Sequence, residues 1–587
     1  MCGIIALAGK KIADISPNRI DAMLDSLARR GPDDRGVLSF PSCVLGQTRL
    51  SILDLSGGHQ PMRDNQKNIA VTFNGEIYNY RELKKDLERK GHVFSTKSDT
   101  EAILKCYREY GADCPKYLDG MFAFIVWDDE KQMLFAARDR FGKKPLYYGF
   151  DGHGTLFMAS EIKALARAGI RGVIDPEAID NYLTLMYIPP WKSVYANIHV
   201  IPPAYSASFK IGWNTPAFSR YWRLESNPLS VSYADAKKEI KRLFLDSVRK
   251  RMIADVEIGA LLSGGVDSTL VCAYAQKFSR HPLKTFTVGY EHYINELPYA
   301  REASETIGTD HYTLQATSDL THELTSVIGY MDEPHADSSN FPQHLVSRLA
   351  ASKVKVALSG DGADELFMGY GWYWKYRNVR KVTQIKNALI SNPFQEHLKL
   401  ISVFQPHERR KLWKNPDAVN GDIVGEQAEA CKKNNTQKIN LFDLTAYLPG
   451  RLLTKVDRTS MMHSLEVRCP FLDYRLAEYV YNLPEKYKMD GASGKIILKD
   501  MLREIMPEEF VYRRKQGFGA PVSDWLKTDA MKKLVHEKLG GAAMIYEFLN
   551  KEAVTDYLRD FYSRDHVKTH YKIWVLLCLE LWLETRQ

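Results

Sequence analysis

Cys2 stands directly behind the initiator Met, and removal of that Met would leave one residue carrying both a thiol and a free α-amine. An α-amine titrates at about 7.7–8.0, so near physiological pH it is partly neutral and can take the thiol proton. Nucleophile and base for acyl transfer then share one residue. Taken alone, Cys2 reads equally well as a small buried residue opening a strand. Asn74-Gly75-Glu76 adds an amide and a glycine N–H able to point at one oxyanion. Arg49, in Arg49-Leu50-Ser51-Ile52-Leu53, can clamp a carboxylate bidentately. Asp99, in Ser98-Asp99-Thr100-Glu101, can accept from an α-ammonium group. A tight turn at Asn74-Gly75 and a helix cap at Asp99 are the plainer alternatives. The set as a whole suits an amino acid with a scissile side-chain carbonyl.

A second cluster lies mid-chain. Leu262-Ser263-Gly264-Gly265-Val266-Asp267-Ser268 falls between a strand-like and a helix-like run. Successive Gly and Ser N–H groups at a helix N-terminus form an anion cradle, aided by the helix dipole. The Walker spacing is absent. Asp267, aimed at the same phosphates, makes sense if a cation bridges them. Ser359-Gly360-Asp361-Gly362-Ala363-Asp364-Glu365 is another Gly-rich acidic turn behind a strand. Lys499 brings a positive charge that could serve bound phosphates, an exposed helix lysine being the alternative. Glu466 and Arg468 read either as site residues or as a structural ion pair.

Elements of two kinds must carry these clusters. Within the first 200 residues, 3–8 and 69–73 are apolar runs of strand length, and 121–127 with 132–138 flank Asp128-Asp129-Glu130-Lys131 as a hairpin. Ser16-Pro17 opens a helix that Gly31 ends, and 81–90 is an amphipathic helix stopped by Gly91. Packed sheets covered by helices are predicted. From about 232 the character changes to helix 234–253, strand 258–262, helix 269–279, strand 283–288, helix 298–307 and strand 354–358. Such alternation indicates a parallel sheet wound by helices, and after 370 the pattern is mostly helical. The Gly-, Asn- and Pro-bearing stretch 210–231 is the connection, so 2–215 and 232–587 are expected to be the two domains.

With 587 residues, 45% hydrophobic and 26% charged, the composition is that of a soluble globular protein of more than one domain. Eighty Lys and Arg face 72 Asp and Glu, and a net charge of +8 suits ATP as readily as a nucleic acid. No apolar run approaches the roughly 18–20 residues that span a bilayer; Ile573 to Leu583 is short and holds Glu580. No secretory pattern opens the chain. Eight cysteines without a CxxC pair suggest a reducing, cytosolic compartment. Neither a membrane nor a nucleic acid is expected as partner.

Cys2-Gly-Ile, Arg30-Gly31-Pro32-Asp33, Arg49-Leu-Ser-Ile, Asn74-Gly-Glu-Ile-Tyr-Asn79, Ser98-Asp99, Gly120-Met-Phe-Ala-Phe and Arg138-Asp139-Arg140-Phe-Gly-Lys-Lys-Pro-Leu-Tyr-Tyr148 resemble the class II glutamine amidotransferases. The resemblance implies an N-terminal-nucleophile αββα sandwich hydrolysing glutamine to glutamate and ammonia. Cys2 would attack, Asn74 and Gly75 form the oxyanion hole, and Arg49, Leu50, Ser51, Ile52, Leu53, Asn74, Gly75, Glu76 and Asp99 hold glutamine. Ser263-Gly-Gly-Val-Asp-Ser268 is similar to the pyrophosphate loop of enzymes that cleave ATP to AMP and pyrophosphate. Ser359 to Glu365, Asp332-Glu333-Pro334, Leu465 to Asp473, Lys499 to Arg503 and Arg513 to Phe518 resemble asparagine synthetase segments. That implies a parallel-sheet α/β ATP-pyrophosphatase domain with a helical C-terminal part. Leu262, Ser263, Gly264, Gly265, Asp267, Ser268, Val288, Ser359 and Gly360 would surround ATP, Asp267 and Asp364 would ligate Mg²⁺, and Asp361 and Lys499 would serve the chemistry.

The two clusters make sense together. Oxide is a poor leaving group, AMP a good one, and an adenylated acid must meet ammonia before water. The implied substrates are glutamine, ATP and aspartate. At Asp361 many members of the family carry Glu, which leaves room for another carboxylate such as a sugar uronic acid in surface-polysaccharide assembly. A tRNA-modifying enzyme would share Ser-Gly-Gly-x-Asp-Ser but have no use for a glutaminase. A non-catalytic relative would be expected to lack Cys2, Asp267 or Asp364. A homodimer is left open.

Overall fold

The computed structural model describes residues 1–64, 68–213, 215–290, 295–316, 321–374, 393–418, 435–513, 521–564 and 569–586. Of the segments singled out above, Asn214 and residues 514–518 lie outside them.

Twelve strands build the first part: β1 (Cys2–Ala8), β2 (Asp34–Ser39), β3 (Cys43–Arg49), β4 (Met62–Asp64), β5 (Ile69–Ile77), β6 (Gly120–Asp128), β7 (Met133–Arg138), β8 (Tyr147–Phe150), β9 (Leu156–Ala159), β10 (Ile198–Val200), β11 (Tyr205–Lys210) and β12 (Ala217–Arg220). They form two six-stranded sheets, ordered β10-β8-β9-β1-β3-β2 and β12-β11-β7-β6-β5-β4, with every pairing antiparallel. Alternation along β1 explains the layering, since successive strand side chains point to opposite faces. Ile4, Ala6 and Ala8 meet Ala123, Ile125 and Trp127 of β6 between the sheets. Ile5 and Leu7 turn outward onto Met23 and Leu24 of α1 (Pro17–Ser26) and Leu165 of α4 (Ile162–Arg167). On the far side Val71, Phe73 and Ile77 of β5 pack on Leu83 and Leu87 of α2 (Tyr80–Arg89) and Ile103 and Tyr107 of α3 (Asp99–Tyr110). The layers run helix, sheet, sheet, helix, as expected.

The second part holds a five-stranded sheet of β13 (Ile258–Leu261), β14 (Lys284–Tyr290), β15 (Asp310–Ala316), β16 (Val356–Leu358) and β17 (Glu466–Arg468), all parallel and ordered β15-β14-β13-β16-β17. β13 to β15 lead one way from the middle and β16 to β17 the other. The crevice beyond β13 and β16 is therefore a topological switch point, where open α/β sheets bind ligands. Both Gly-rich turns leave those two strands. β15 and β17 were not anticipated; β17 is three residues long and two of them are charged, so nothing in its pattern signals a buried strand. Among the described residues no helix is long and apolar enough to cross a membrane.

Candidate active site

Cys2 opens β1 opposite Arg49 of β3 and is 6% exposed. Its backbone N–H donates to Asn74 Oδ1 at 2.9 Å. That bond fixes the amide, and Asn74 Nδ2, fully buried, has no hydrogen-bond partner among the described residues. A buried donor left open is costly unless a ligand takes it. Asn74, Gly75 and Glu76 do not follow the strand, as the sequence suggested, but continue it: β5 runs to Ile77, paired with β6 throughout. Gly75 carries this run through φ +147°, and a Cβ there would lie 2.0 Å from the Met121 carbonyl oxygen. Burial pushes the Cys2 thiol up, against the pull of the terminal ammonium, the Leu50 N–H and Arg49. The resting group is a thiol that needs a base.

An open pocket of about 310 Å³ lies against this thiol. Cys2, Arg49, Leu50, Ile52, Leu53, Gly75, Glu76 and Asp99 line it, together with Gly58, Gln60, Phe73, Ser98 and Thr100, which sequence reasoning did not assign to glutamine. Ser51 is not in the wall; its N–H is held by Asp33 Oδ2 at 2.8 Å. Arg49 Nη2 donates to the Leu53 and Asp54 carbonyls at 3.0 and 2.9 Å, and Nη1 to Leu55 at 3.3 Å. Two of its five N–H donors make no hydrogen bond among the described residues. Ser98 caps α3, and Asp99 Oδ2 accepts the Ile77 N–H at 2.9 Å. Burial raises the Asp99 carboxyl to about 6. Burial also raises Glu76, partly offset by Arg468, whose Nη2 lies 3.2 Å from Glu76 Oε1.

At the second centre, Ser263, Gly264 and Gly265 turn from β13 into the helix Val266–Gln276, with Gly265 as N-cap. Gly264 sits at φ +72°, pressed on the Tyr299 backbone, where a side chain would clash. Ser268 Oγ closes the loop, accepting from Ser263 N at 3.2 Å and lying 3.1 Å from Ser263 Oγ. Gly360, in the neighbouring turn, lies so near Asp267 that a Cβ would come within 2.9 Å of the Asp267 Cβ. The two turns thus form one floor. Ser359 Oγ donates to Asp361 Oδ2 at 2.6 Å. Leu262 N–H bonds the Phe286 carbonyl at 2.9 Å, and Leu262 and Val288 are core residues flanking the crevice.

Lys495 was not anticipated. Its Nζ lies 2.5 Å from Asp267 Oδ2 and 2.7 Å from Asp364 Oδ1, with the residue 5% exposed. Although burial works against its charge, the two carboxylates raise its pKa. Lys499, one turn later, donates to Ser493 Oγ at 2.8 Å. Asp267 and Asp364 therefore converge on one cation position. Two hard carboxylates at a phosphate loop fit Mg²⁺, which keeps waters and phosphate oxygens as its other ligands. No larger metal-binding group of His, Cys, Asp and Glu occurs among the described residues.

Residues 1–222 match the glutamine amidotransferase domain, and residues 239–584 match asparagine synthase. The chain belongs to the asparagine synthase family. The Bacillus subtilis (strain 168) protein "Asparagine synthetase [glutamine-hydrolyzing] 3" is 33% identical over 91% of this chain and 90% of its own length. Number 1 of the same organism is 30% identical, covering 99% and 96%. The Zea mays "Asparagine synthetase [glutamine-hydrolyzing]" is 28% identical, covering 96% and 86%. Both matched regions carry one of the centres, so family membership rests on the whole chain. Two strand-bound charges tie the centres together. Arg468 Nε meets Glu466 Oε1 at 2.7 Å while its Nη2 reaches Glu76, so the ion pair read from β17 bridges the halves.

Proposed function

We propose that this chain is a glutamine-hydrolysing asparagine synthetase, adenylating the side-chain carboxylate of aspartate with ATP and transferring ammonia released from glutamine. The observation that carries this reading is the Asn74 amide: its oxygen holds the Cys2 backbone N–H, and its buried Nδ2 donor has no partner among the described residues. After loss of Met1 that N–H belongs to the α-amine, which takes the thiol proton as sulfur attacks the glutamine carboxamide. Asn74 Nδ2 and the Gly75 N–H then stabilise the oxyanion, with Arg49 on the glutamine carboxylate and Asp99 on its ammonium. Ammonia leaves, and water releases glutamate from the thioester.

At the other centre the Ser263–Ser268 loop cradles the pyrophosphate end of ATP, and Ser359 and Gly360 support the nucleotide. Asp267 and Asp364 would hold Mg²⁺, which supplies charge neutralisation at the phosphates. Lys495, with Lys499 one turn away, brings ammonium charge to the same floor. Asp361, held by Ser359, faces the reacting acid. A small cavity beside Met1, lined by Lys143, Lys144, Val456, Val467 and Cys469, supports a route for ammonia once Met1 is removed. Met1 also lines the glutamine pocket, and Cys469 Sγ lies 3.5 Å from Ser359 Oγ.

The test is Cys2→Ala assayed with Mg-ATP, aspartate and either nitrogen source, read as pyrophosphate release and asparagine formed. Glutamine-dependent synthesis should disappear and ammonium-dependent synthesis survive. Equal loss of both, or no turnover of aspartate by the parent enzyme while another acid is amidated, would overturn the reading.

A further inference from the structure

Met1 is 2% exposed, and its α-ammonium lies 3.1 Å from Glu466 Oε2, the side chains of both residues wholly buried. Its carbonyl accepts the Leu50 N–H at 3.0 Å. The two contacts come from different halves: Leu50 follows β3, whereas Glu466 opens β17. The cavity that Met1 lines is walled from the second half too, by Val456, Asp457 and Ser460 of the helix Thr454–Met461 and by Val467 of β17. Buried charge surrounds this place. Asp457 takes Arg30 Nη1 and Nη2 at 2.8 and 3.0 Å and Lys144 Nζ at 3.3 Å, while Arg30 Nε donates to the Cys2 carbonyl at 3.1 Å. Arg458 Nη1, on the same helix, meets Glu161 Oε1 at 2.7 Å. Parting the halves here strips several buried charges of their partners at once, so an opened form is scarce.

While Met1 stays, the Cys2 nitrogen is an amide and cannot take the thiol proton. Excision is a hydrolysis. Water adds across the Met1 carbonyl carbon and the Cys2 nitrogen, the C–N bond breaks, hydroxyl leaves on methionine and the proton stays on the new Cys2 amine. An aminopeptidase must draw the Met1 ammonium and side chain into its own site, and both lie inside the closed interface. Cleavage of a folded chain then follows the population of its opened form. Synthesis offers a window, because at about 5–20 residues/s Glu466 is made on the order of 20–90 s after Met1. Resting on the proposed function, we infer that Met1 must be excised before β17 docks, and that Glu466 locks it into any chain that folds first. Such a late chain makes amide from ammonium and leaves glutamine untouched.

The test uses the full-length chain produced with cellular methionine aminopeptidase inhibited, so that Met1 is retained. The native chain and a peptide of residues 1–8 are each given the purified aminopeptidase, and loss of methionine is followed by intact mass. The native chain should be processed at least tenfold more slowly than the peptide. Glu466→Gln removes the counter-charge of the Met1 ammonium and should speed excision from the native chain at least threefold, with circular dichroism reporting the fold. Unfolding the parent and diluting it into refolding buffer that holds the aminopeptidase should restore excision. A native rate within tenfold of the peptide, or a folded Glu466→Gln chain less than threefold faster than the parent, would overturn the inference. Glutamine hydrolysed equally well with Met1 in place would instead end the amine-as-base reading and leave the order of excision and docking standing.

Discussion

The Asn74 amide serves two ends. Its oxygen is committed to the Cys2 N–H at 2.9 Å, and this fixes the direction of a fully buried Nδ2 that no other described residue satisfies. A donor preset in this way needs no reorganisation when charge develops on a substrate oxygen. Asn74→Ala should lower glutaminase kcat by about 10²–10³, the range for losing one oxyanion donor. Ammonium-dependent pyrophosphate release should stay within twofold, and steady-state kinetics on both nitrogen sources check it. Cys2, Asn74 and Asp267 were legible in the sequence because their chemistry lies in residue type and neighbours. Lys495 was not. It and Lys499 sit one helical turn apart behind Gly494, and burial between two carboxylates is what tells them apart.

One strand, β5, brings Phe73, Gly75 and Glu76 to the wall of the pocket beside Cys2. β5 holds Phe73, Asn74, Gly75 and Glu76 in register with Phe124, Ala123, Phe122 and Met121 of β6. The sequence indicated a strand ending at 73, because Asn-Gly is a strong turn signal. Pairing with β6 overrides that local preference. The glycine stays in the strand because φ +147° and the Met121 carbonyl leave no room for a side chain. Gly75→Ala should therefore force β5 and β6 apart at the oxyanion hole. The expected outcome is loss of glutamine hydrolysis by at least 10²-fold and destabilisation of about 1–3 kcal/mol or more, in keeping with forced backbone strain. A lowered thermal midpoint together with the kinetics would show it, and an unchanged glutaminase would refute the close-approach argument. The alternating sheet and helix pattern was legible from 232 onward because hydrophobic periodicity reports it directly. β17 was invisible because ion pairing, not apolar alternation, keeps it in the sheet.

Across the whole molecule that same strand joins the two halves. Arg468 offers its side chain to Glu76 in the pocket beside Cys2 and its carbonyl to the Ser359 N–H at 2.9 Å. Its Nη1 donates to the Arg251 and Ile253 carbonyls at 2.8 and 2.7 Å and its Nε to Glu466, so the guanidinium is held at both of these nitrogens. Burial raises the Glu76 carboxyl, and Arg468 is the largest influence pulling it back. Arg468→Met should cost about 3–5 kcal/mol, because it leaves buried carboxylates without their cation, and the thermal midpoint should drop. It should also act on pH. With the guanidinium gone, the Glu76 pKa rises further, so the Glu76 carboxylate that lines the pocket with Asp99 forms only at higher pH. The glutamine KM of the variant should therefore be raised at pH 7 and recover as pH increases, its profile displaced at least one unit to the alkaline side of the parent. The aspartate KM in ammonium-driven synthesis should show no such recovery, because Glu76 takes no part there. A glutamine KM raised equally at all pH values would mean that Arg468 acts by packing alone and that β17 carries no charge coupling between the halves.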